Sequence, residues 1–272
     1  MLQVPDKVFS KIGFLLAAGL FWALSAAQGF PQDLIQVYAM PEQKTQRSEA
    51  RKAPEVVGLS DSQKAVVEND ILAVARRYWR KQGEDCDPQD RIGGFTILNG
   101  LEGSFTRPHA KQRAILYQYC MTGHNFADNG IVVFEGDQAA AHVVYKGGWD
   151  SALLSLPDID GSGRSAILIL GGGTNMGETW QTASIIGLSE QGVNNFGFTG
   201  TYHDDCGVAE TGNPERKATS YKLFARKGTS PAFYHESFTG ECAQPTKWLK
   251  SGALEQITLE DAGKSSIYIR LK

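Results

Sequence analysis

Two short stretches hold the residues best suited to chemistry. Asn175, Glu178 and Trp180 lie within 172–181, and His203, Asp204 and Asp205 lie within 202–207. An imidazole titrates near neutral pH, clustered carboxylates can bind a cation or act as an acid/base pair, and an indole can stack on a flat ligand. Each stretch follows an apolar run that reads as a strand. Both are therefore loops leaving a sheet, where a rigid scaffold usually carries function. The same residues also make ordinary turns, because Gly-Gly-Thr-Asn and Asp-Asp-Cys-Gly are both turn chemistry. Trp149, Trp180 and Trp248 fall in or beside loops, where a tryptophan either stacks on a ligand or pins the loop to the core.

Several reaction classes have no motif here. The histidines show neither His-x-x-x-His nor His-Glu-x-x-His spacing, and there is no Gly-x-Ser-x-Gly elbow. Gly171-Gly172-Gly173 follows a strand but lacks the Lys and helix start of a phosphate loop. No nucleotide or other cofactor is expected. The net charge of −3 gives no footprint for nucleic acid or an anionic membrane surface.

A third polar stretch runs Pro157-Asp158-Ile159-Asp160-Gly161-Ser162-Gly163-Arg164-Ser165, followed by the apolar Ala166–Leu170 and three glycines. It reads as a tight turn feeding a buried strand. It resembles the FG-GAP/VCBS type of β-propeller repeat, in which an Asp-rich loop precedes a strand. The resemblance covers about 20 residues and implies calcium ligands at Asp158, Asp160 and Ser162, with Arg164 offering its carbonyl. The ninth loop position, a carboxylate in that family, is Ala166 here. Without a metal, the Asp side chains would bond nearby backbone N–H groups.

The chain around these stretches has 272 residues, 42% hydrophobic and 21% charged, which suffices for one sizeable core. Lys7 and Lys11, then the apolar Ile12–Leu24, then Ser25-Ala26-Ala27 form the pattern of a secretory signal peptide over residues 1–27. Its apolar stretch is shorter than the ~20 residues of a spanning helix, so no membrane span is expected in the mature chain. Export, periplasmic or secreted, would place Cys86, Cys120, Cys206 and Cys242 in an oxidising compartment and favour two disulfides. Three connectivities are open. Cys86–Cys120 with Cys206–Cys242 closes the chain-local loops, each contributing about 4 kcal/mol in the chain-entropy model.

Residues 28–58 lack periodicity and read as a flexible linker, leaving 59–272 as one globular domain. Its helix spans 60–82, with a Ser60/Gln63 capping box, an apolar stripe of Val67, Ile71, Val74 and Tyr78, and Gly83 as the stop. The β domain, 92–272, holds eleven short β-branched and aromatic runs between Phe95 and Leu271. Gly103–Tyr117 weakly parallels Pro157–Ile169, the two Ala-Ile-Leu triplets standing 52 residues apart, and a fainter copy ends at Phe224. That period suits a four-stranded blade. The expected fold is mainly β, with antiparallel blade-like sheets in a small propeller-like or sandwich arrangement, preceded by one amphipathic helix.

Three functions fit. The first is an exported β-rich module that binds a small ligand, carbohydrate or protein. The second is a hydrolase using the carboxylates around Glu178, Asp204 and Asp205, alone or assisted by calcium. The third is a structural cell-envelope protein. A cation bound between the two acidic loops would favour the second, and a featureless surface without a cleft would favour the third.

Overall fold

The computed structural model describes residues 33–40, 58–83, 86, 91–122, 126–148, 151–208, 216–242, 244–261 and 266–269. All belong to the unit Asp33–Lys272. The expected signal peptide, most of the expected linker, Trp149 and the His124-Asn125 turn lie outside the described residues.

A short strand β1 (Leu34–Tyr38) comes first. This corrects the expectation of an unbroken linker over 28–58. A continuous helix α1 follows, composed of Asp61–Val66, a π-helical turn Val67–Ile71, and Leu72–Lys81. Next come β2 (Arg91–Gly103), β3 (Gln112–Thr122), β4 (Phe126–Glu135), β5 (Gln138–Gly147), β6 (Ala152–Leu156), β7 (Ala166–Asn175) and β8 (Glu178–Leu188). The chain continues through β9 (Val193–Asp204), β10 (Lys217–Arg226), β11 (Ala232–Glu241), β12 (Gln244–Lys250), β13 (Glu255–Ile257) and β14 (Ser266–Ile269).

The capping box forms as expected. Gln63 N donates to Ser60 Oγ at 3.1 Å, and Ser60 N donates to Gln63 Oε1 at 3.2 Å. The apolar stripe differs from the simple period. Beyond the π turn the buried positions are Leu72, Ala75 and Trp79, while Val74 and Tyr78 are half-buried. One wide turn carries an extra residue and moves the inner face along by one position.

The strands pair antiparallel in two sheets. One runs β14-β5-β4-β3-β2, the other β12-β11-β10-β9-β8-β7-β6, with β1 added to β10 and β13 to β11. The larger sheet curls into a half-barrel. The five-stranded sheet is covered on both faces. Ile115, Tyr117 and Val132 pack under α1, and Leu116, Ile131 and Val133 pack against Ile167, Ile169 and Ile186 of the larger sheet. Double coverage explains why β4 is buried from Ala127 through Phe134 without alternation. A third core fills the curl of the large sheet, around Leu168, Ile185, Leu223 and Phe233.

Two four-stranded meanders, β2–β5 and β6–β9, follow one another, and Phe105 and Ile159 are fully buried ahead of β3 and β7. The unit starting at β10 is no separate blade, because β9 and β10 are hydrogen-bonded at Ala218–Ser220. Cys86–Cys120 and Cys206–Cys242 are disulfide-bonded. Among the described residues, no helix is long and apolar enough to cross a membrane.

Candidate ligand-binding groove

The β7–β8 hairpin turns through Met176 (φ 50°) and Gly177 (φ 88°). Two successive positive φ angles make the hairpin turn whose twist matches the flanking strands. The ladder sets Gly173 opposite Trp180 and Asn175 opposite Glu178. On the other side of β8, Trp180 stands opposite His203 and Thr179 opposite Asp204. This register brings all six expected site residues to one end of the large sheet. The loops also touch through glycine: a Cβ on Gly177 would lie 2.0 Å from Gly207 O. The Cys206–Cys242 disulfide ties the second loop to the end of β11.

Four of the six side chains have polar partners. His203 Nε2 lies 2.6 Å from Glu178 Oε1, with both residues half-exposed. Asp204 accepts hydrogen bonds from Cys206 N at 2.7 Å and from Tyr202 Oη at 2.6 Å. Asp205 accepts one from Lys217 N at 3.1 Å. The two aspartates therefore shape the turn after β9, and Glu178 orients the imidazole. This division of labour does not favour a pair of carboxylates poised for acid/base work.

Trp180 also lines a groove of about 190 Å³ between the two sheets. Its other residues come from β4, β5, β7 and β8 and from Gly148 just after β5, notably Phe126, Lys146, Gly171 and Thr182. Phe126 is 62% exposed, an unusual position for a large aromatic unless it serves a surface. The glycines let the sheets approach, since a Cβ on Gly148 would sit 1.9 Å from Gly172 O. A buried polar ladder holds that approach. Gln118 Nε2 donates to Asn129 Oδ1 at 3.2 Å, Asn129 Nδ2 to Ser151 Oγ at 2.9 Å, and Ser151 Oγ to Gly148 O at 2.9 Å. Burial pushes the Tyr145 hydroxyl well above its ordinary pKa, so this residue of the groove wall stays neutral. Lys146 pairs with the buried Asp128 at 2.5 Å and covers the Trp79 ring at 4.6 Å. Its charge is largely compensated from within.

The Asp158 loop lies at the opposite end of β7 from the hairpin. Asp158 Oδ2 is 2.6 Å from Lys227 Nζ. Asp160 Oδ1 accepts from Ser162 N at 3.0 Å, and Ser162 Oγ accepts from Arg164 N at 3.4 Å. Partial burial opposes ionisation of Asp158, but the hydrogen bond from Lys227 and its charge outweigh it and hold the carboxyl below its usual range. An ammonium group thus already satisfies one of the carboxylates that the family resemblance assigns to calcium. The closest-set metal-type groups among the described residues are Asp205 with Cys206 and Cys242, and Asp128 with Cys86 and Cys120. Their sulfurs are in disulfides, so neither offers a thiolate.

Of the six expected residues only Trp180 lines the groove, and the facing wall was not among them. Phe126 and Lys146 belong to the other sheet and carry no local motif. The glycine doublets at 147–148 and 171–172 were the available signal, since glycine inside a strand often marks a close backbone approach. No family model, curated protein or solved structure matches the chain.

Proposed function

We propose that this chain is an exported binding module whose groove takes one ring of a carbohydrate. The observation that carries the proposal is the placement of Trp180 on a preformed, glycine-floored groove, with exposed Phe126 across it and the Glu178–His203 pair beside it. An indole and a phenyl ring offer flat apolar surface to a sugar face, and a carboxylate and an imidazole offer hydrogen bonds to hydroxyls. A few convergent polar groups beside aromatics are what a small-ligand site requires. The volume is below the ~300–1,000 Å³ of pockets that enclose drug-sized ligands, which suits a single ring in a longer, mostly solvated chain.

The sequence pattern at residues 1–27 and the two disulfides support export. The engagement of Asp204 and Asp205 with backbone N–H groups weighs against the hydrolase alternative. The presence of a groove lined by Trp180 and exposed Phe126 weighs against a purely structural role. A thermal-shift screen of neutral and acidic oligosaccharides tests the proposal. The expected result is a rise in melting temperature with at least one glycan class, lost in Trp180→Ala. A panel without any such rise overturns it.

A further inference from the structure

The two edges of β10 are occupied differently. One edge pairs with β11 along the whole strand, from Lys217 opposite Glu241 to Arg226 opposite Ala232. On the other edge, β9 pairs only with Ala218–Ser220. Beyond that point the edge is taken by β1, with Leu34 opposite Arg226 and Tyr38 opposite Leu223. The N-terminal strand therefore fills a vacancy that β9 leaves when it turns away.

Its seat is specific. Val37 and Tyr38 are each 4% exposed and join the core that contains Leu223, Ala225 and Phe233. Tyr38 Oη donates to Gln181 Oε1 at 2.8 Å, and Thr201 Oγ1 donates to the same oxygen at 3.2 Å. Asp33 pairs with Arg226 at 2.6 Å. Gln181 is the chain neighbour of Trp180, so the strand supports the strand that carries the groove.

No hairpin forces this pairing to be intramolecular. Residues 39–59 separate β1 from the helix cap at Ser60. Fully extended, that length reaches about 70 Å, well beyond the ~18 Å radius of gyration of a domain this size. Bonds, anchors and register would be the same if the strand came from another copy. The two arrangements differ mainly in effective concentration, on the order of a millimolar for a tethered segment.

We propose that the edge of β10 that β1 fills is a strand-acceptor site, and that residues 33–38 of a second copy of this chain occupy it by reciprocal exchange. Each copy then lends its Tyr38 to Gln181 of the other. Exchange of an identical element is a low-cost route to a two-fold dimer.

The test uses full-length chains with Leu34→Cys, Arg226→Cys or both, a short thiol-specific crosslinker, and the native disulfides intact. The doubly substituted chain at low concentration is expected to link within itself. Two singly substituted chains, refolded together at about a millimolar, are expected to give a covalent heterodimer. The same mixture refolded a hundredfold more dilute should give mostly monomer. Val37→Ala with Tyr38→Ala in the strand-donating chain should reduce the heterodimer severalfold. Efficient linkage in the double variant with only monomer from the concentrated mixture would overturn the exchange. A double variant that does not link would overturn the seat itself, and a heterodimer indifferent to the anchor substitutions would show that it forms without the acceptor site.

Discussion

His203 and Glu178 meet across the β8–β9 ladder, Nε2 to Oε1 at 2.6 Å, beside the Trp180 that stands opposite His203. Both partners are about half-exposed, so the pair contributes under about 1 kcal/mol to stability. His203→Ala is therefore expected to lower the melting temperature by no more than about 4 °C. If the pair presents hydrogen bonds to a ligand, the same substitution weakens binding at least tenfold. Calorimetric melting together with a binding titration separates the two effects, and a loss of binding matched by a large loss of stability would make the pair structural.

His142 gives the fold a built-in acid sensitivity. Burial depresses its pKa to about 3, and its Nε2 lies 2.6 Å from Tyr117 Oη. Above the unfolded pKa of about 6.5 the ring is neutral in both states and has no effect on the pH profile. As pH falls below 6.5, the unfolded chain takes up a proton that the folded chain refuses. Stability then drops by up to about 1.4 kcal/mol per pH unit until the folded pKa is reached. Urea unfolding at pH 7 and pH 5 is expected to show a difference about 2 kcal/mol larger in the parent chain than in His142→Gln. Equal differences would contradict this.

The close approach at the groove floor should be intolerant of a methyl group. Gly148→Ala would bring its Cβ into Gly172 O, so the sheets must separate, at a cost of about 1–3 kcal/mol. Gly171→Ala is the matched control, because its nearest neighbour would be 3.6 Å away, an ordinary contact. Equal unfolding midpoints for the two variants would argue against the close packing.

In the Asp158 loop, Gly161 holds φ at +78° with open space around it. Gly161→Val should cost about 1–2 kcal/mol through backbone strain alone. Asp160→Asn keeps the oxygen that accepts from Ser162 N and should cost less. With Lys227 already on Asp158, added calcium is expected to leave the melting temperature unchanged. A calcium-dependent rise abolished by Asp158→Ala would contradict this.

Much of the fold was legible because its signals are local. The capping box at Ser60 and Gln63, the glycine-bounded run Ala166–Leu170 and the chain-local cysteine spacing all lie within short windows. What could not be read depends on distant partners or on a local irregularity. Leu34–Tyr38 is a strand only because β10 has an open edge for it. The helix stripe moves at the π turn, which no periodic template anticipates. The site shows the same division. Turn chemistry placed Glu178 and His203 on loops, whereas Glu178 opens β8 and His203 lies within β9, and their meeting depends on the β8–β9 register, which shifts between Gln181 and Thr182. Phe126 became part of the site only when the second sheet was packed against the first.

The most direct test of the binding proposal is nuclear magnetic resonance of the indole N–H groups during titration with the glycan class that stabilises the protein. The expected result is a saturable shift of the Trp180 indole resonance, identified by its absence in Trp180→Phe, with the buried Trp79 indole unmoved. Saturable binding that leaves Trp180 unperturbed would contradict the account.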